Sequence, residues 1–413
     1  MINLSLEWKT VELKSIANVT MGQSPKSEFY NDNFEGMPFL QGNKTFGDKY
    51  PSFELYTTSI KKVAEKNSVL MSVRAPVGDL NIAQEDICIG RGVCGLQMKK
   101  GDNEFLYYLL KANISHLINK ESGTVFGSIN KNDIETFEVT LPKSSDDQMK
   151  ILTILKNIDK KIDICKNLNR NLEQLMKCIF DDWFVNFNYS EKVIFKSSEL
   201  GEIPSNWDVK KLGDVLITLE SGKRPKGGIS DIDDGIPSIG AENILGLGKF
   251  DYSKNKLISH DFFNQMKKGI IQDKDVLLYK DGAQLGRKSL FMNGFPFDVC
   301  CINEHVFRLQ SNGEVSQFYL YLWLDQPIMT NEIINLNSNS AQPGINQTDV
   351  KSLPILVPDI EIMDKFENII SPMMNQIFDN ALEINKLSLL RDTLLPKLMS
   401  GEIDVSKINC DLE

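Results

Sequence analysis

Two stretches of the chain carry apolar residues at steps that alternate between three and four, the spacing of a helix that packs along one face. In the first stretch the repeating positions are Ile151, Leu155, Ile158, Ile162, Cys165, Asn169, Leu172, Met176, Ile179 and Trp183. In the second they are Met363, Phe366, Ile370, Met373, Ile377, Asn380, Ile384, Leu387, Arg391, Leu394 and Leu398. Each stretch predicts a helix of ~50 Å at ~1.5 Å per residue, which is longer than a small domain is wide.

Two apolar stripes of matching length are most simply explained as partners of each other. The alternative is that each helix packs on a different globular body. If they pair antiparallel and centre to centre, Asn169 of the first stripe lies next to Asn380 of the second. A buried Asn in such a seam reduces stability but fixes the register. We therefore predict an antiparallel coiled coil with Asn169 in contact with Asn380.

The segment before each helix alternates short apolar runs with turn residues, which is typical of strands. In the first segment, 68–78 predicts a strand, a turn and a second strand. Residues 104–118 have helical spacing, and 137–142 predict a last strand. These patterns predict an α+β domain with a mostly antiparallel sheet.

The chain also repeats itself after about 200 residues. The residues that follow Trp207 resemble those that follow Trp8, and Gly222-Lys-Arg-Pro-Lys resembles Gly22-Gln-Ser-Pro-Lys. Phe318-Tyr-Leu-Tyr-Leu likewise repeats Phe105-Leu-Tyr-Tyr-Leu. Each copy ends at its long helix. The repeat predicts a tandem duplication with approximate two-fold symmetry.

The predicted fold class is α+β, with two tandem α/β domains separated by two long antiparallel helices that form a pseudo-two-fold symmetric coiled coil. The predicted map is a first domain at 1–143, a long helix at 144–187, a weakly structured linker at 188–204, a second domain at 205–358, a second long helix at 359–400 and an acidic tail at 401–413.

Bulk properties narrow the class of protein. The 413 residues carry a net charge of −10, which argues against a nucleic-acid partner. More than half of that excess follows residue 358, however, so the two domains are close to neutral and leave room for local basic patches. We expect no signal peptide after Met1 and no membrane span. Seven cysteines without CxxC spacing predict reduced thiols and a cytoplasmic location.

The sequence lacks the motifs of common nucleotide-dependent enzymes. No GxxxxGK[ST] loop is present, no predicted strand is followed by GxGxxG, and neither tetrapeptide typical of adenine methylases occurs. The three histidines, His116, His260 and His305, lack metal-ligand spacing. Glu304 beside His305 is the one acid-base pair we considered. We therefore expect no catalytic residue and no metal site.

The loops of both domains carry side chains of the types that read DNA in DNA-binding proteins. Arg and Lys suit guanine edges and phosphates, whereas Asn and Gln suit adenine edges. In the first domain the candidates are Gln23, Lys26, Gln41, Asn43, Lys44, Arg74, Arg91, Lys120 and Ser122. In the second they are Lys223, Arg224, Lys226, Asn243, Lys280, Gln284, Arg287, Asn337 and Gln342.

Three stretches carry a specific resemblance. They are Leu172-Glu-Gln-Leu-Met-Lys-Cys-Ile-Phe-Asp-Asp-Trp-Phe, Gly201-Glu-Ile-Pro-Ser-Asn-Trp-Asp-Val-Lys-Lys-Leu-Gly and Leu387-Ser-Leu-Leu-Arg-Asp-Thr-Leu-Leu-Pro-Lys-Leu-Met-Ser-Gly-Glu-Ile. Together with the order of domains and helices, they resemble the specificity subunit of type I restriction-modification enzymes over nearly the whole chain. The two domains are then target-recognition domains.

This resemblance implies a DNA-binding adaptor without catalysis or cofactor of its own. Each target-recognition domain would read one half of a split, asymmetric sequence in double-stranded DNA, and the helices would set the unread spacer. Two modification subunits would carry S-adenosylmethionine and methylate adenine, and restriction subunits would use ATP and Mg. The residues it suggests for partner binding are Phe180, Trp183, Phe184, Leu394 and Leu398.

Two other classes of function were weighed. A nuclease or methylase with a degenerate motif would need a catalytic constellation that the sequence does not offer. A coiled-coil scaffold or receptor-binding protein would keep the helices but leave the matched polar loops of the two domains unexplained.

Overall fold

The structure is a computed structural model, and it describes residues 7–119, 127–190, 192–226, 228, 232–337 and 343–408. The elements of the first repeat are β1 (Trp8–Glu12), α1 (Leu13–Ile16), β2 (Ala17–Met21), β3 (Tyr30–Asn31), β4 (Met37–Leu40), β5 (Tyr56–Thr57), β6 (Val63–Ala64), β7 (Val69–Ser72), β8 (Leu80–Ile82), β9 (Ile87–Ile89), β10 (Val93–Met98), α2 (Asn103–Asn119), α3 (Lys131–Glu135), β11 (Glu138–Pro142) and the long helix α4 (Ser145–Phe184).

The second repeat follows the same plan. Its elements are β12 (Phe195–Ser198), β13 (Gly201–Pro204), β14 (Asp208–Lys211), β15 (Leu216–Ser221), β16 (Ile236–Ile239), β17 (Leu257–Ile258), α5 (His260–Asn264), β18 (Asp275–Tyr279), β19 (Lys288–Phe291), β20 (Cys301–Ile302), β21 (Val306–Ser311), α6 (Gln317–Asp325), α7 (Pro327–Asn335), α8 (Gln347–Ser352), β22 (Pro354–Val357) and the long helix α9 (Ile360–Ser400).

Sheet topology confirms the duplication. The first repeat has a four-stranded antiparallel sheet in the order β2-β10-β7-β8, and the second has one in the order β15-β21-β18-β19. In each repeat the last strand also pairs antiparallel with the strand at the repeated tryptophan, β11 with β1 and β22 with β14. A parallel pair, β4 with β9 and β16 with β20, completes the match. The α+β class is therefore confirmed.

Local capping explains why the short helix before the last strand recurs. Asn130 caps α3 by accepting a hydrogen bond from the Asp133 amide at 3.1 Å. Asn346 caps α8 by accepting one from the Asp349 amide at 2.9 Å. An Asn before a helix satisfies an amide that has no partner within the helix. The same residue types at the same spacing thus build the same turn twice.

The chain forms two compact units, Met1–Lys160 with Leu387–Glu413, and Lys161–Lys386. We refer to them as the N-terminal unit and the central unit. Domain ends were predicted at 143 and 358, before the helices, whereas the units divide inside α4 and α9. The reason is that stretches of both helices belong to the hydrophobic core of each unit.

The core of the N-terminal unit collects α2 and one stretch of each long helix. It contains Ile151, Leu152 and Leu155 of α4 together with Leu395 and Leu398 of α9. The core of the central unit contains Met176, Phe180 and Phe184 of α4 with Met363, Phe366, Ile370 and Met374 of α9. The apolar stripes therefore bury the faces that their spacing predicts.

The predicted asparagine contact is present in the central unit. The side-chain amide of Asn380 donates to Oδ1 of Asn169 at 2.7 Å, and the amide of Asn169 donates to the Ile377 carbonyl at 3.0 Å. Phe184, further along α4, meets Phe366, which lies earlier in α9. The two helices therefore run antiparallel there, as predicted, and both amides have partners in a buried seam.

The segment 188–204 differs from the prediction of a weakly structured linker. It contains a hairpin in which β12 pairs antiparallel with β13, with Phe195 opposite Pro204 and Ser198 opposite Gly201. Most of its side chains are exposed, so the apolar alternation that would have predicted strands is missing. Backbone hydrogen bonds, rather than burial, define this segment.

Candidate nucleic-acid interface

In the N-terminal unit, backbone hydrogen bonds gather the candidate reading loops into one cluster. The Gly90 amide donates to the Leu40 carbonyl at 2.8 Å, and the Val73 amide donates to the Gly92 carbonyl at 2.9 Å. The Gln23 amide donates to the Ile89 carbonyl at 2.9 Å. These bonds join loops 22–26, 41–44, 74–78 and 90–92, which we call the first loop cluster.

One glycine makes this close approach possible. A Cβ at Gly22 would lie 2.2 Å from the Gly90 carbonyl oxygen, closer than real side-chain atoms come. Only glycine fits at such a backbone contact. The glycine at the start of the repeated Gly-x-x-Pro-Lys stretch is therefore required by the loop cluster itself.

Most of the candidate side chains of the first loop cluster are exposed, but they differ in their bonding partners. Lys44 pairs with Glu54 at 2.8 Å, and the Asn43 amide donates to Oδ2 of Asp79 at 2.5 Å. Lys26 lies 3.6 Å from Glu28. The guanidinium groups of Arg74 and Arg91 are exposed and have no ion pair within the described residues. With exposed Gln23 and Gln41 beside them, they form a surface of free donors.

The central unit repeats two of these three backbone hydrogen bonds. The Asn303 amide donates to the Ile239 carbonyl at 3.0 Å, and the Lys280 amide donates to the His305 carbonyl at 3.1 Å. Gly222 is again in contact with backbone, since a Cβ there would lie 1.6 Å from the Ile302 carbonyl oxygen. The loops joined in this way, 222–226, 280–287 and 303–305, are the second loop cluster.

The side chains of the second loop cluster form more ion pairs with one another than those of the first loop cluster. Nδ1 of His305 lies 2.5 Å from Oδ1 of Asp281, and its Nε2 lies 3.4 Å from Oε1 of Glu304. Arg224 also lies 3.4 Å from Oε1 of Glu304, and Lys280 lies 3.4 Å from Asp281. Four further predicted residues of this cluster are exposed, namely Lys223, Lys226, Gln284 and Arg287.

The remaining predicted reading residues fall elsewhere. The prediction that Asn243 reads DNA is wrong, because this side chain is buried. Its Oδ1 accepts a hydrogen bond from the Gly240 amide at 3.0 Å, so Asn243 caps a turn. The Oδ1 of Asn337 accepts the Gly344 amide at 3.0 Å. Lys120, Ser122 and Gln342 lie outside the described residues.

The predicted partner-binding residues are mostly in the cores. Phe180 and Phe184 are buried among Tyr319 and Phe366, and Leu398 is buried in the N-terminal unit. These three predictions are wrong as surface contacts, because positions of the apolar stripe face inwards. Trp183 and Leu394 are partly buried against the same cores.

The sequence analysis missed an ionic network in the N-terminal unit. Nη1 of Arg391 lies 3.0 Å from Oδ1 of Asp159, and Lys49 lies 3.4 Å from Oδ2. The Tyr108 hydroxyl donates to the same carboxylate, and Lys49 also pairs with Glu104 at 3.1 Å. Arg391 within an otherwise apolar stripe was the available signal, since such a residue needs a buried partner.

The charges of this network set the pKa of Asp159. Burial acts to raise that pKa, but hydrogen bonds from Tyr108 and Arg391 and the charge of Lys49 outweigh it. The net result is a pKa below the ordinary value of 3.8. Asp159 is therefore ionised at neutral pH.

Chemically reactive groups are few in the described part of the chain. No cluster of three or more His, Cys, Asp or Glu side chains that could hold a metal ion occurs there. Burial raises the pKa of the Cys94 and Cys300 thiols to about 12. None of the described helices is both long and apolar enough to cross a bilayer. What the loop clusters can do is donate and accept hydrogen bonds at an exposed surface.

Comparison with known proteins places these features in context. A family model described as the type I restriction modification DNA specificity domain matches residues 5–174 and 204–390. The type I restriction enzyme MjaIX specificity subunit of Methanocaldococcus jannaschii is 25% identical over 427 residues, which cover 97% of this chain and 95% of that protein. A putative MjaX specificity subunit of the same organism is 41% identical over 182 residues, or 42% of each chain.

A solved structure shares the fold. The crystal structure of the type I restriction-modification system S subunit from M. genitalium aligns with a TM-score of 0.58 at 17% identity. The alignment covers 96% of this chain and 97% of that one. The order of repeats and long helices is therefore a fold already seen in a solved protein.

Proposed function

The chain belongs to the type I restriction-modification DNA specificity family, and on this premise we propose that its two loop clusters each read one half of a split, asymmetric DNA sequence. The chain is then the specificity subunit that directs partner methylase and restriction subunits to that sequence. The specificity subunits named among its relatives support this role.

The observation that carries the proposal is the loop network that the chain builds twice. In both units the same backbone hydrogen bonds, closed over a glycine, present exposed Arg, Lys and Gln side chains. Such side chains reach base edges in the major groove and phosphates beside it. Two similar frames with different side chains suit a target whose halves differ.

The chemistry is assigned to the partners. Adenine methylation requires the base to leave the helical stack, and the modification subunits perform this step with S-adenosylmethionine. ATP and Mg belong to the restriction subunits, and this chain contributes no catalytic residue. Partner subunits also supply phosphate contacts, which accounts for a DNA-reading chain with a net charge of −10.

Exposed apolar residues on α4 offer a docking surface for a modification subunit. Ile164, Leu168 and Leu175 are exposed and lie within about 40° of one another around the helix. They replace the buried Phe180 and Phe184 as our candidates. Leu168→Glu should prevent co-purification of the modification subunit, whereas Lys166→Glu on the same helix should not. Unchanged co-purification of the Leu168→Glu chain would rule this surface out.

The test of the whole proposal is co-expression with the neighbouring modification subunit in a host that lacks adenine methylation. Methylated adenine is then mapped across the host genome. A split, asymmetric motif is the expected result, and Arg74→Glu should erase or change one of its halves. Lys100→Glu, at the far end of β10 from the first loop cluster, is the charge-matched control. A soluble complex that methylates no split motif would overturn the proposal.

A further inference from the structure

Equivalent positions of the two loop clusters carry opposite charges, and strand register establishes the equivalence. Val93 begins β10 and Val306 begins β21, and each pairs with the last residue of the neighbouring strand of its sheet. Counting back two residues from each valine places Arg91 and Glu304 at the same position. A guanidinium in one unit is thus replaced by a carboxylate in the other.

The second pair follows from the neighbouring loop. Arg74 forms an isolated antiparallel bridge with Ser128, and Asp281 forms the corresponding bridge with Gly344. Arg74 therefore corresponds to Asp281, not to the Lys280 beside it. Both positions in the first loop cluster hold guanidinium groups, which only donate, and both in the second hold carboxylates, whose oxygens accept.

The two carboxylates of the second cluster are held in place. His305 lies between them, with Nδ1 2.5 Å from Asp281 and Nε2 3.4 Å from Glu304. Oε2 of Glu304 is enclosed and has no hydrogen-bond partner among the described residues. Oε1 of Glu304 lies 3.4 Å from both His305 and Arg224, and 36% of the side chain is exposed, so a donor on DNA can still reach it.

We propose that these two equivalent positions of the clusters read opposite kinds of base edge. Arg74 and Arg91 contact the N7 and O6 acceptors of guanine. Glu304 and Asp281, positioned by His305, accept a hydrogen bond from an exocyclic amine, N4 of cytosine or N6 of adenine. This inference rests on the proposed function and specifies which chemical groups each half of the target must display.

The experiment must separate the two contacts at a G·C pair, which displays both guanine acceptors and a cytosine amine. Replacing a purine by its 7-deaza analogue removes N7 but leaves the exocyclic amines. Duplexes that carry the mapped motif are therefore made with each purine replaced in turn. Binding is measured for the assembled complex of this chain with its modification subunits.

Variants show which half-site each cluster reads. Arg91→Gln should relax the motif in one half, and Glu304→Gln in the other, each leaving the opposite half intact. That retained half also shows that the variant chain folds. Lys100→Gln and Glu314→Gln, beyond the far ends of β10 and β21, are the charge-matched controls and should leave both halves unchanged.

The expected result is asymmetric. At the base pair relaxed by Arg91→Gln, a 7-deaza substitution should weaken binding at least about fivefold. At the base pair relaxed by Glu304→Gln, the same substitution should weaken binding less than about twofold, because a carboxylate does not use N7. Equal sensitivity of these two base pairs, or no change of motif with Glu304→Gln, would overturn this inference alone. Absence of any split motif with the unaltered chain would overturn the proposed function and this inference with it.

Discussion

The N-terminal and central units hold stretches of the two long helices together through different kinds of interaction. In the N-terminal unit a buried ionic network does so, through Asp159, Arg391, Tyr108, Lys49 and Glu104. In the central unit an aromatic cluster does so, through Phe180, Phe184, Tyr319, Phe366 and Trp207. We call these the ionic joint and the aromatic joint.

The sequence repeat shows that the two joints are alternative solutions to one packing problem. Aligning Leu387 with Leu172 places Arg391 at the position of Met176, which is fully buried in the aromatic joint. Arg391 is 19% exposed at its side chain and Asp159 10%, so both charges are largely withdrawn from water. A buried pair is stable only when every partner is in place, whereas an aromatic cluster tolerates small shifts. The duplicated fold thus accommodates either an ionic or an aromatic joint at this position.

The largest effect is expected in the aromatic joint. Phe184→Ala removes a ring whose centroid lies 4.8 Å from that of Phe366 and 4.9 Å from that of Tyr319. Denaturant unfolding should show a loss of about 3–5 kcal/mol. Ile369→Ala, at an exposed position of α9, should change stability by less than about 0.5 kcal/mol. Equal effects of the two substitutions would mean that the cluster does not hold the helices.

The ionic joint should respond to loss of a single charge. Arg391→Met leaves the Asp159 carboxylate with one bonded cation fewer and should cost about 3 kcal/mol. Lys131→Met breaks an exposed pair with Glu135 in the same unit and should cost less than about 1 kcal/mol. The double variant Arg391→Met/Asp159→Leu imitates the apolar joint and should be more stable than Arg391→Met alone. If it were less stable, the two joints would not be interchangeable.

Acid should weaken the ionic joint selectively. Because the folded pKa of Asp159 lies below 3.8, its contribution is present above that value and is lost as the pH falls through the lower folded pKa. Thermal unfolding of the unaltered chain and of Asp159→Asn, measured from pH 7 to pH 2.5, should therefore differ most at neutral pH and converge in acid. Curves that stay parallel over this range would show that Asp159 does not contribute through its charge.

The smallest effect concerns one buried charge of the central unit that has no carboxylate in ion-pair contact within the described residues. Lys288 is 4% exposed, donates to the Thr330 hydroxyl at 2.5 Å, and has its pKa lowered to about 8 by burial. Lys288→Met should stabilise the chain by about 1–2 kcal/mol at pH 7. This gain in stability should shrink as the pH rises from 8 to 10.5. Over that range Lys288 is already neutral in the folded chain and loses its proton in the unfolded chain, so the cost of burying a charge disappears. Exposed Lys268→Met should show no such gain.

Features that depend on local periodicity were predictable from the sequence. The three-four spacing predicted both helices, and the two asparagines in the apolar stripes predicted the contact between them. The repeat of the Trp, Gly-x-x-Pro-Lys and Phe-x-x-Tyr-Leu stretches likewise predicted the duplication that the sheets confirm. In each case the physical cause acts between residues close in sequence or related by one repeat.

Features that depend on tertiary contacts were not predictable in the same way. Asn243 has the composition of a reading residue, but its turn folds back so that the side chain caps Gly240. Phe180 and Phe184 were assigned to the surface because a family resemblance does not specify which helix face is buried. The correspondence of Arg74 with Asp281 rests on the isolated bridges that the two residues form with Ser128 and Gly344. Asp159 gave no signal of its own, since its partners come from three distant segments.

Hydrogen bonds between backbone atoms join the loops of each cluster, and this has an evolutionary consequence. Amide and carbonyl groups are the same whatever residue carries them, so Arg91 can become a glutamate without loss of a single bond of the frame. Selection on the displayed side chains is therefore largely uncoupled from selection on foldability. Such a chain can acquire a new target by a few point substitutions or by exchange of one whole repeat, while the helices and their joints are inherited unchanged.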